Sequence, residues 1–365
     1  MDFKRIIIKV GSALVAPDQN GCSGKYVQDI ASFITKCHQK HIEVIIVSSG
    51  SVAAGRHLIQ HGSPTPSIQV KQAMASVGQM KMMANWQRFF DIPCSQLLIT
   101  HGDLKDRMRY INIKNTLRIL LANGTIPIVN ENDTVATEEL KVGDNDNLAA
   151  LVALVSEADC LLILSDIDGV FNKDPRMHAD AKMLHEISEI NDEIYAMAGT
   201  TNNPIATGGM KTKIQAAEKA TENGIETYIV NGHNSKVFDA ILNGTNPGTR
   251  FLANPDVSKA KKHWLKHTLK SHGQLFLDTG AVNALQHKGA SLLASGILSV
   301  TGQFLAGDSI ELIDSNTKKT IAKGICQYNF QDLLKIKGNK SEDIENILGF
   351  CPSKVIVHRD DMVVM

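Results

Sequence analysis

Along the first two-thirds of the chain, short apolar runs closed by small or polar residues alternate with longer segments whose apolar residues recur every three or four positions. The runs at 5–10, 43–48, 95–100, 126–130, 160–164 and 226–230 fit buried strands, which read as near-continuous Val, Ile and Leu when both faces of a sheet are covered. The segments 25–39, 68–90, 108–122, 147–156 and 211–223 carry the period of helices with an apolar face. This alternation predicts an α/β domain around a mainly parallel sheet.

The pattern lapses over 254–272, a polar stretch with Pro255 and five lysines, Lys259, Lys261, Lys262, Lys266 and Lys270. Beyond it, short strands are predicted at 274–277, 296–300, 309–312, 321–328 and 354–358, with one helix at 341–348, which makes a small β-rich module. The chain of 365 residues is long enough for two cores, and the expected division is a domain over 1–257, a linker over 258–272 and a second domain over 273–365. No internal repeat or low-complexity tract interrupts it.

Charge changes the picture by exclusion. Lys plus Arg total 38 and Asp plus Glu total 38, so no global field would hold nucleic acid or an anionic membrane, and a small polar substrate fits better. The first apolar run is too short for a signal segment and none reaches the ~18 residues of a span, so a cytoplasmic protein is expected. The 6 cysteines form no C-x-x-C pair and the 13 histidines no HExxH, so the protein itself is expected to supply no metal site.

Open α/β sheets bind ligands beyond the carboxyl ends of their strands, and here those ends are small or polar. They read Lys9-Val10-Gly11-Ser12, Ser48-Ser49-Gly50, Asn130-Glu131-Asn132-Asp133 and Ser165-Asp166. Gly143-Asp144-Asn145-Asp146-Asn147, closing a hairpin-like segment, and Thr207-Gly208-Gly209-Met210-Lys211-Thr212-Lys213 each open a helix. Glycines let backbone N–H groups approach an anion, and a helix N-terminus adds positive potential. Lys9 at a strand end and Lys213 in a first helical turn could converge on a transferring phosphoryl group, with Asp146 holding both. No Walker, HRD or DFG string is present, which disfavours P-loop and protein-kinase chemistry. A carboxylate acceptor is already ionised at neutral pH and needs no general base.

Each signal has a structural alternative. Gly11 and Gly50 could be ordinary turns, residues 143–147 could cap a helix, and Lys213 could be a solvated charge. Lys9 is harder to dismiss, because a lysine in an apolar strand end is rarely buried unpaired, although snorkelling to the surface could explain it.

Five strings, IIIKVGSALV, IIVSSGSVAAGR, VNENDTVATEELKVGDNDNLAALVA, LSDIDGVFNKDPR and ATGGMKTKIQAA, resemble in order those of the glutamate 5-kinases of the amino-acid kinase family. The resemblance covers essentially the whole chain. It implies the amino-acid kinase fold, a three-layer sandwich, and transfer of phosphate from ATP with Mg²⁺ to the γ-carboxylate of L-glutamate, the first step toward proline. It also implies proline as feedback inhibitor, a homo-oligomer and glutamate-5-phosphate reductase as partner. By position, Lys9, Lys213 and Asp146 match the catalytic group, and Ser49, Gly50, Asp133 and Asn145 the glutamate-binding group, with Asp133 on the α-ammonium. Lys9, Gly11, Ser165, Asp166 and the run Thr207, Gly208, Gly209, Met210, Lys211, Thr212, Lys213 match the nucleotide-binding positions. The family's usual Lys-Leu-Gly-Thr/Ser-Ser is Lys-Val-Gly-Ser-Ala here, so Ala13 offers no hydroxyl.

GASLLASGILSVTGQF, GNKSEDIENILGF and VIVHRDDMVV look like the PUA module often appended to such kinases, which binds RNA in other proteins. Lys318, Lys319, Lys335, Lys337 and Lys340 are scattered, so solvated charge is preferred to an RNA surface. Two competing readings remain: a kinase of the same fold acting on another carboxylate, such as N-acetylglutamate or aspartate, and a non-enzymatic RNA-binding protein that has kept a kinase-like domain.

Overall fold

The structure, a computed structural model, describes residues 3–18, 21–62, 65–136, 145–198, 209–255 and 271–364. The chain divides into two compact units, one of residues 1–105 with 116–255 and the other of residues 106–115 with 256–365.

In the first unit, strands β1 (Arg5–Val10), β2 (Glu43–Ser48), β3 (Cys94–Ile99), β4 (Ile126–Glu131), β5 (Cys160–Ser165), β6 (Glu186–Ile187), β7 (Glu226–Asn231) and β8 (Thr249–Phe251) form one sheet in the order β3-β4-β2-β1-β5-β7-β8-β6. The six strands from β3 to β7 in that order run parallel, and β8 pairs antiparallel with β7 at the far side. The strands predicted from apolar runs all form, with ends shifted by a residue at most. The short β6 and β8 were not foreseen, since two or three residues carry no period.

Helices α1 (Ser12–Val15), α2 (Val27–Gln39), α3 (Ser51–Gly55), α4 (Ile68–Gln87), α5 (His101–Lys105), α6 (Arg107–Ala122), α7 (Asn145–Ser156), α8 (Asp192–Met197), α9 (Met210–Thr221) and α10 (Lys236–Leu242) complete this part of the chain. Alternation along β1 sends Ile6, Ile8 and Val10 into one core with Ile30, Phe33 and Ile34 of α2 and Met82 and Trp86 of α4. Ile7 and Lys9 therefore lie on the opposite face, where α7 packs against β1 and β5 and beside α9. Helix α7 is apolar all round after its first turn and is almost wholly buried, as such a sequence must be.

Helices α3 and α4 touch backbone to backbone. A Cβ on Gly78 would stand 1.8 Å from the Ser51 carbonyl oxygen, and one on Gly55 would stand 2.0 Å from that of Met74. Only glycine fits at either position, and the pair clamps α4 against the loop that leaves β2.

The second unit holds a five-stranded sheet of β9 (Gly273–Leu277), β10 (Ile297–Gly302), β11 (Ser309–Asp314), β12 (Thr320–Ile325) and β13 (Met362–Val364), in the order β10-β9-β11-β12-β13. Its core gathers Leu275, Leu277, Ile310, Leu312, Ala322 and Leu333. The expected strand at 354–358 is corrected: Ile356 and Val357 fill this core from a loop that makes one isolated bridge, Leu292 with Val357, and the terminal strand is β13. A helix over Thr279–Lys288 was missed, although Asp278 caps it by accepting from the Ala281 N–H at 2.7 Å. Inside the same unit the buried Lys114 pairs with Asp361, and Asn115 donates to Gln327 at 3.0 Å.

Candidate active site

The carboxyl ends of β1, β2, β4 and β5 meet the first turns of α7 and α9, and charge concentrates there. Lys9 is 5% exposed on the face that α7 covers, and its Nζ lies 2.7 Å from Oδ1 of Asp146 in the first turn of α7. From the first turn of α9, Lys213 Nζ lies 3.0 Å from Asp146 Oδ2, and the Thr212 hydroxyl donates to the same oxygen at 2.8 Å. Burial alone would raise the Asp146 pKa. The ammonium groups of Lys213 and Lys9, with the Lys9 and Thr212 hydrogen bonds, overcome this and hold the carboxyl well below the usual range. Burial lowers the Lys9 pKa, and the attraction of Asp146 offsets part of that shift.

Asp146 thus pairs with both lysines. Thr212, foreseen only as a nucleotide neighbour, is a third partner of that carboxylate. Gly11 runs beside the trio, since a Cβ there would stand 3.8 Å from Lys9 Nζ. Gly209 precedes α9 and supplies no side-chain cap to its first-turn amides. Met210 is half-buried and Lys211 is exposed, apart from the trio. Thr207 and Gly208, together with the hairpin-like segment up to Asp144, lie outside the described residues. At the end of β5 Ser165 is buried and donates to Oδ1 of Asp166 at 3.3 Å, while exposed Asp166 faces Arg176 at 3.7 Å.

A second, amide- and hydroxyl-rich group adjoins the first through α7. Asn145, next to Asp146, donates through Nδ2 to the Ser49 hydroxyl at 2.7 Å and to Oδ1 of Asn130 at 3.1 Å. The Ser49 N–H donates to the Val10 carbonyl at 2.9 Å, which ties the ends of β2 and β1 together. Gly50 then turns with φ of 115° into α3, a left-handed conformation suited to glycine. Ser51 donates to Asp133 at 2.7 Å. Burial raises the Asp133 pKa and the Ser51 hydrogen bond opposes it, with a net upward shift. The structure therefore brings together Ser49, Asn145 and the trio, and links Asp133 to them through α3. Asn130 and Ser51 were passed over as site residues, although Asn130 belongs to a strand-end string already singled out and Ser51 directly follows another.

Both Asp146 oxygens are engaged by protein donors, and among the described residues no three His, Cys, Asp or Glu side chains gather to hold a metal. The described cysteines are all free thiols. No described helix is long and apolar enough to cross a membrane.

The model of the amino acid kinase family matches residues 4–231, and that of the PUA domain matches residues 273–348. The glutamate 5-kinase of Idiomarina loihiensis is 49% identical over 363 residues, which covers 100% of this chain and 98% of that one. The glutamate 5-kinase of Salinibacter ruber is 49% identical over 367 residues, with the same coverage. Among solved structures, a UMP kinase from Bacillus anthracis aligns with 70% of this chain and 98% of its own at 16% identity, with a TM-score of 0.48. The charged trio on the strand ends lies wholly within the matched residues, and the chain belongs to the amino acid kinase family, in its glutamate 5-kinase branch, with a PUA domain in its C-terminal part.

Proposed function

We propose that the chain transfers the γ-phosphoryl group of ATP to the γ-carboxylate of L-glutamate, releasing ADP and γ-glutamyl phosphate, the first step of proline biosynthesis. The observation that carries the reading is the Lys9–Asp146–Lys213 trio, buried at the strand ends beside the Ser49–Asn145 group, in a chain half identical to glutamate 5-kinases along its length. A γ-carboxylate oxygen attacks the γ-phosphorus and the bond to the β–γ bridging oxygen breaks, its electron pair leaving with ADP. No proton moves, so no general base is required. Two ammonium groups and one carboxylate leave the trio cationic, suited to charge that spreads over the phosphoryl oxygens. Asp146 fixes both ammonium groups beforehand, so little reorganisation accompanies transfer.

The first-turn amides of α9, with Gly11, Ser165 and Asp166, receive the nucleotide in this reading. Mg²⁺ arrives on the ATP phosphates and neutralises part of their charge. Ser49 and Asn145 face the amino acid, and Asp133 takes its α-ammonium. The setting is cytoplasmic.

The test is acyl-phosphate trapping as hydroxamate, with ATP and Mg²⁺ and either glutamate, aspartate or N-acetylglutamate. Glutamate is expected to give the largest kcat/KM by at least about tenfold, the factor one good polar contact supplies. A preference for aspartate or N-acetylglutamate would transfer the reading to another carboxylate, and no trapped product with any of the three would end it.

A further inference from the structure

We infer that Gln79 is a positioning residue for the amino-acid substrate: it anchors a three-amide chain that makes Asn145 present its carbonyl oxygen, not its amino group, to the ligand. The inference rests on the glutamate reading above. Gln79 stands on α4 and is 7% exposed, directly after Gly78, whose contact with the Ser51 carbonyl fixes this turn of α4 against the site. Its Oε1 accepts from Nδ2 of Asn130, 1% exposed at the end of β4, at 3.0 Å. Asn130 Oδ1 accepts from Asn145 Nδ2 at 3.1 Å, and that same Nδ2 donates to the Ser49 hydroxyl at 2.7 Å.

Each amide thus donates in one direction, Asn145 to Asn130 to Gln79, and the direction set at one end is imposed at the other. Two atoms are left over, the Nε2 of Gln79 and the Oδ1 of Asn145, both buried without a hydrogen-bond partner among the described residues. Buried orphans are few in native proteins, and one at a substrate site marks a partner still to come. With Asn145 Nδ2 occupied twice, the group left for a ligand is an acceptor. An acceptor suits the ammonium end of a free amino acid, and would repel the carboxylate end. The chain therefore selects the orientation in which glutamate enters, and Gln79 does so from outside the first layer of contacts.

The experiment is steady-state kinetics on the full chain with Gln79→Met, Gln79→Glu, Asn145→Ala and the double variant Gln79→Met/Asn145→Ala. Gln79→Met keeps the length and removes the acceptor. It is expected to raise the KM for glutamate about tenfold, while kcat and the KM for ATP stay within about twofold. A Glu at 79 accepts as Gln does and, when ionised, cannot donate, so Gln79→Glu should keep the glutamate KM within about threefold of the parent only if the chain runs in the stated direction. The double variant should match Asn145→Ala alone in glutamate KM, because the relay acts through that residue. Additive effects in the double variant, a parallel loss in kcat and ATP affinity, or a Gln79→Glu variant as impaired as Gln79→Met would each reduce Gln79 to core packing. If the parent chain forms no hydroxamate from glutamate, the substrate reading falls and the relay with it. If the parent does and Gln79→Met is normal, the relay alone falls.

Discussion

Two carboxylates at the site occupy opposite electrostatic states. Asp146 is fully buried, yet its pKa is depressed, because the protein folds two ammonium groups and a hydroxyl onto it. Asp133 is less buried, yet its pKa is raised, because among the described residues its one partner is the Ser51 hydroxyl and no cation faces it. Burial pushes both carboxyls upward, and the difference lies in whether the countercharge belongs to the protein. The end assigned to the phosphoryl group in the proposed reading carries its own cations. The other end keeps a carboxylate short of a cation, which the α-ammonium would supply in the proposed reading.

The strongest way to break this contrast is at the prepaid end. Lys213→Ala and Lys9→Ala are each expected to lower kcat by about 10²-fold or more with smaller changes in KM, since both ammonium groups act on transition-state charge. Near-normal kcat in both would reduce them to structural counterions of Asp146. At the other end, Asp133→Ala should raise the KM for glutamate on the order of tenfold to a hundredfold and leave that for ATP nearly unchanged. An equal loss for ATP would place Asp133 on the nucleotide.

The pH dependence sharpens the contrast. The folded pKa of Asp133 lies above its ordinary 3.8, so ionising it becomes a cost to the folded state as pH rises from that value through the shifted one. If glutamate supplies the missing cation, its KM should fall by up to about tenfold per pH unit below the shifted pKa and level off above it. Asp146 has the opposite sign: its contribution to stability is present above 3.8 and is lost as pH falls through its depressed folded value. Stability should therefore persist between the shifted Asp133 value and 3.8, where glutamate affinity is already declining. Thermal unfolding and glutamate KM measured across the same buffers would show whether the two curves separate.

The smallest effect is expected from removing the PUA domain. A chain ending at Lys261 keeps every residue of both ends of the site and loses Asp361, the partner of Lys114. Its kcat should stay within about threefold of the full chain, since separate cores carry separate functions. A hundredfold fall in a cooperatively unfolding truncated protein would mean that the second unit shapes the site.

The strand core was legible because burial on both sheet faces forces continuous apolar runs, and Lys9 drew attention because a lysine inside such a run needs either a buried partner or a route to the surface. Asn130 and Gln79 were harder to see. Asn130 sits in a string already marked, but amides carry no charge to betray them, and Gln79 lies mid-helix, 51 positions away, where only tertiary packing brings it to Asn130. The module beyond residue 271 was the least legible: its strands are short, and Ile356 and Val357 fill the core without pairing as a strand. In small domains apolar residues in loops do work that periodicity assigns to sheets.

The backbone contact between α3 and α4 also governs how this chain can drift. A methyl at residue 78 would collide with the Ser51 carbonyl and one at residue 55 with the Met74 carbonyl, so neither collision can be relieved by trimming a neighbouring side chain. Compensation at a second site, the usual route by which lineages exchange residues, is closed at both glycines. The shelf carrying Ser49, Gly50 and Ser51 therefore rests on two positions that accept only glycine, while the outer surface of α4, where Met80 is 76% exposed, carries no such constraint.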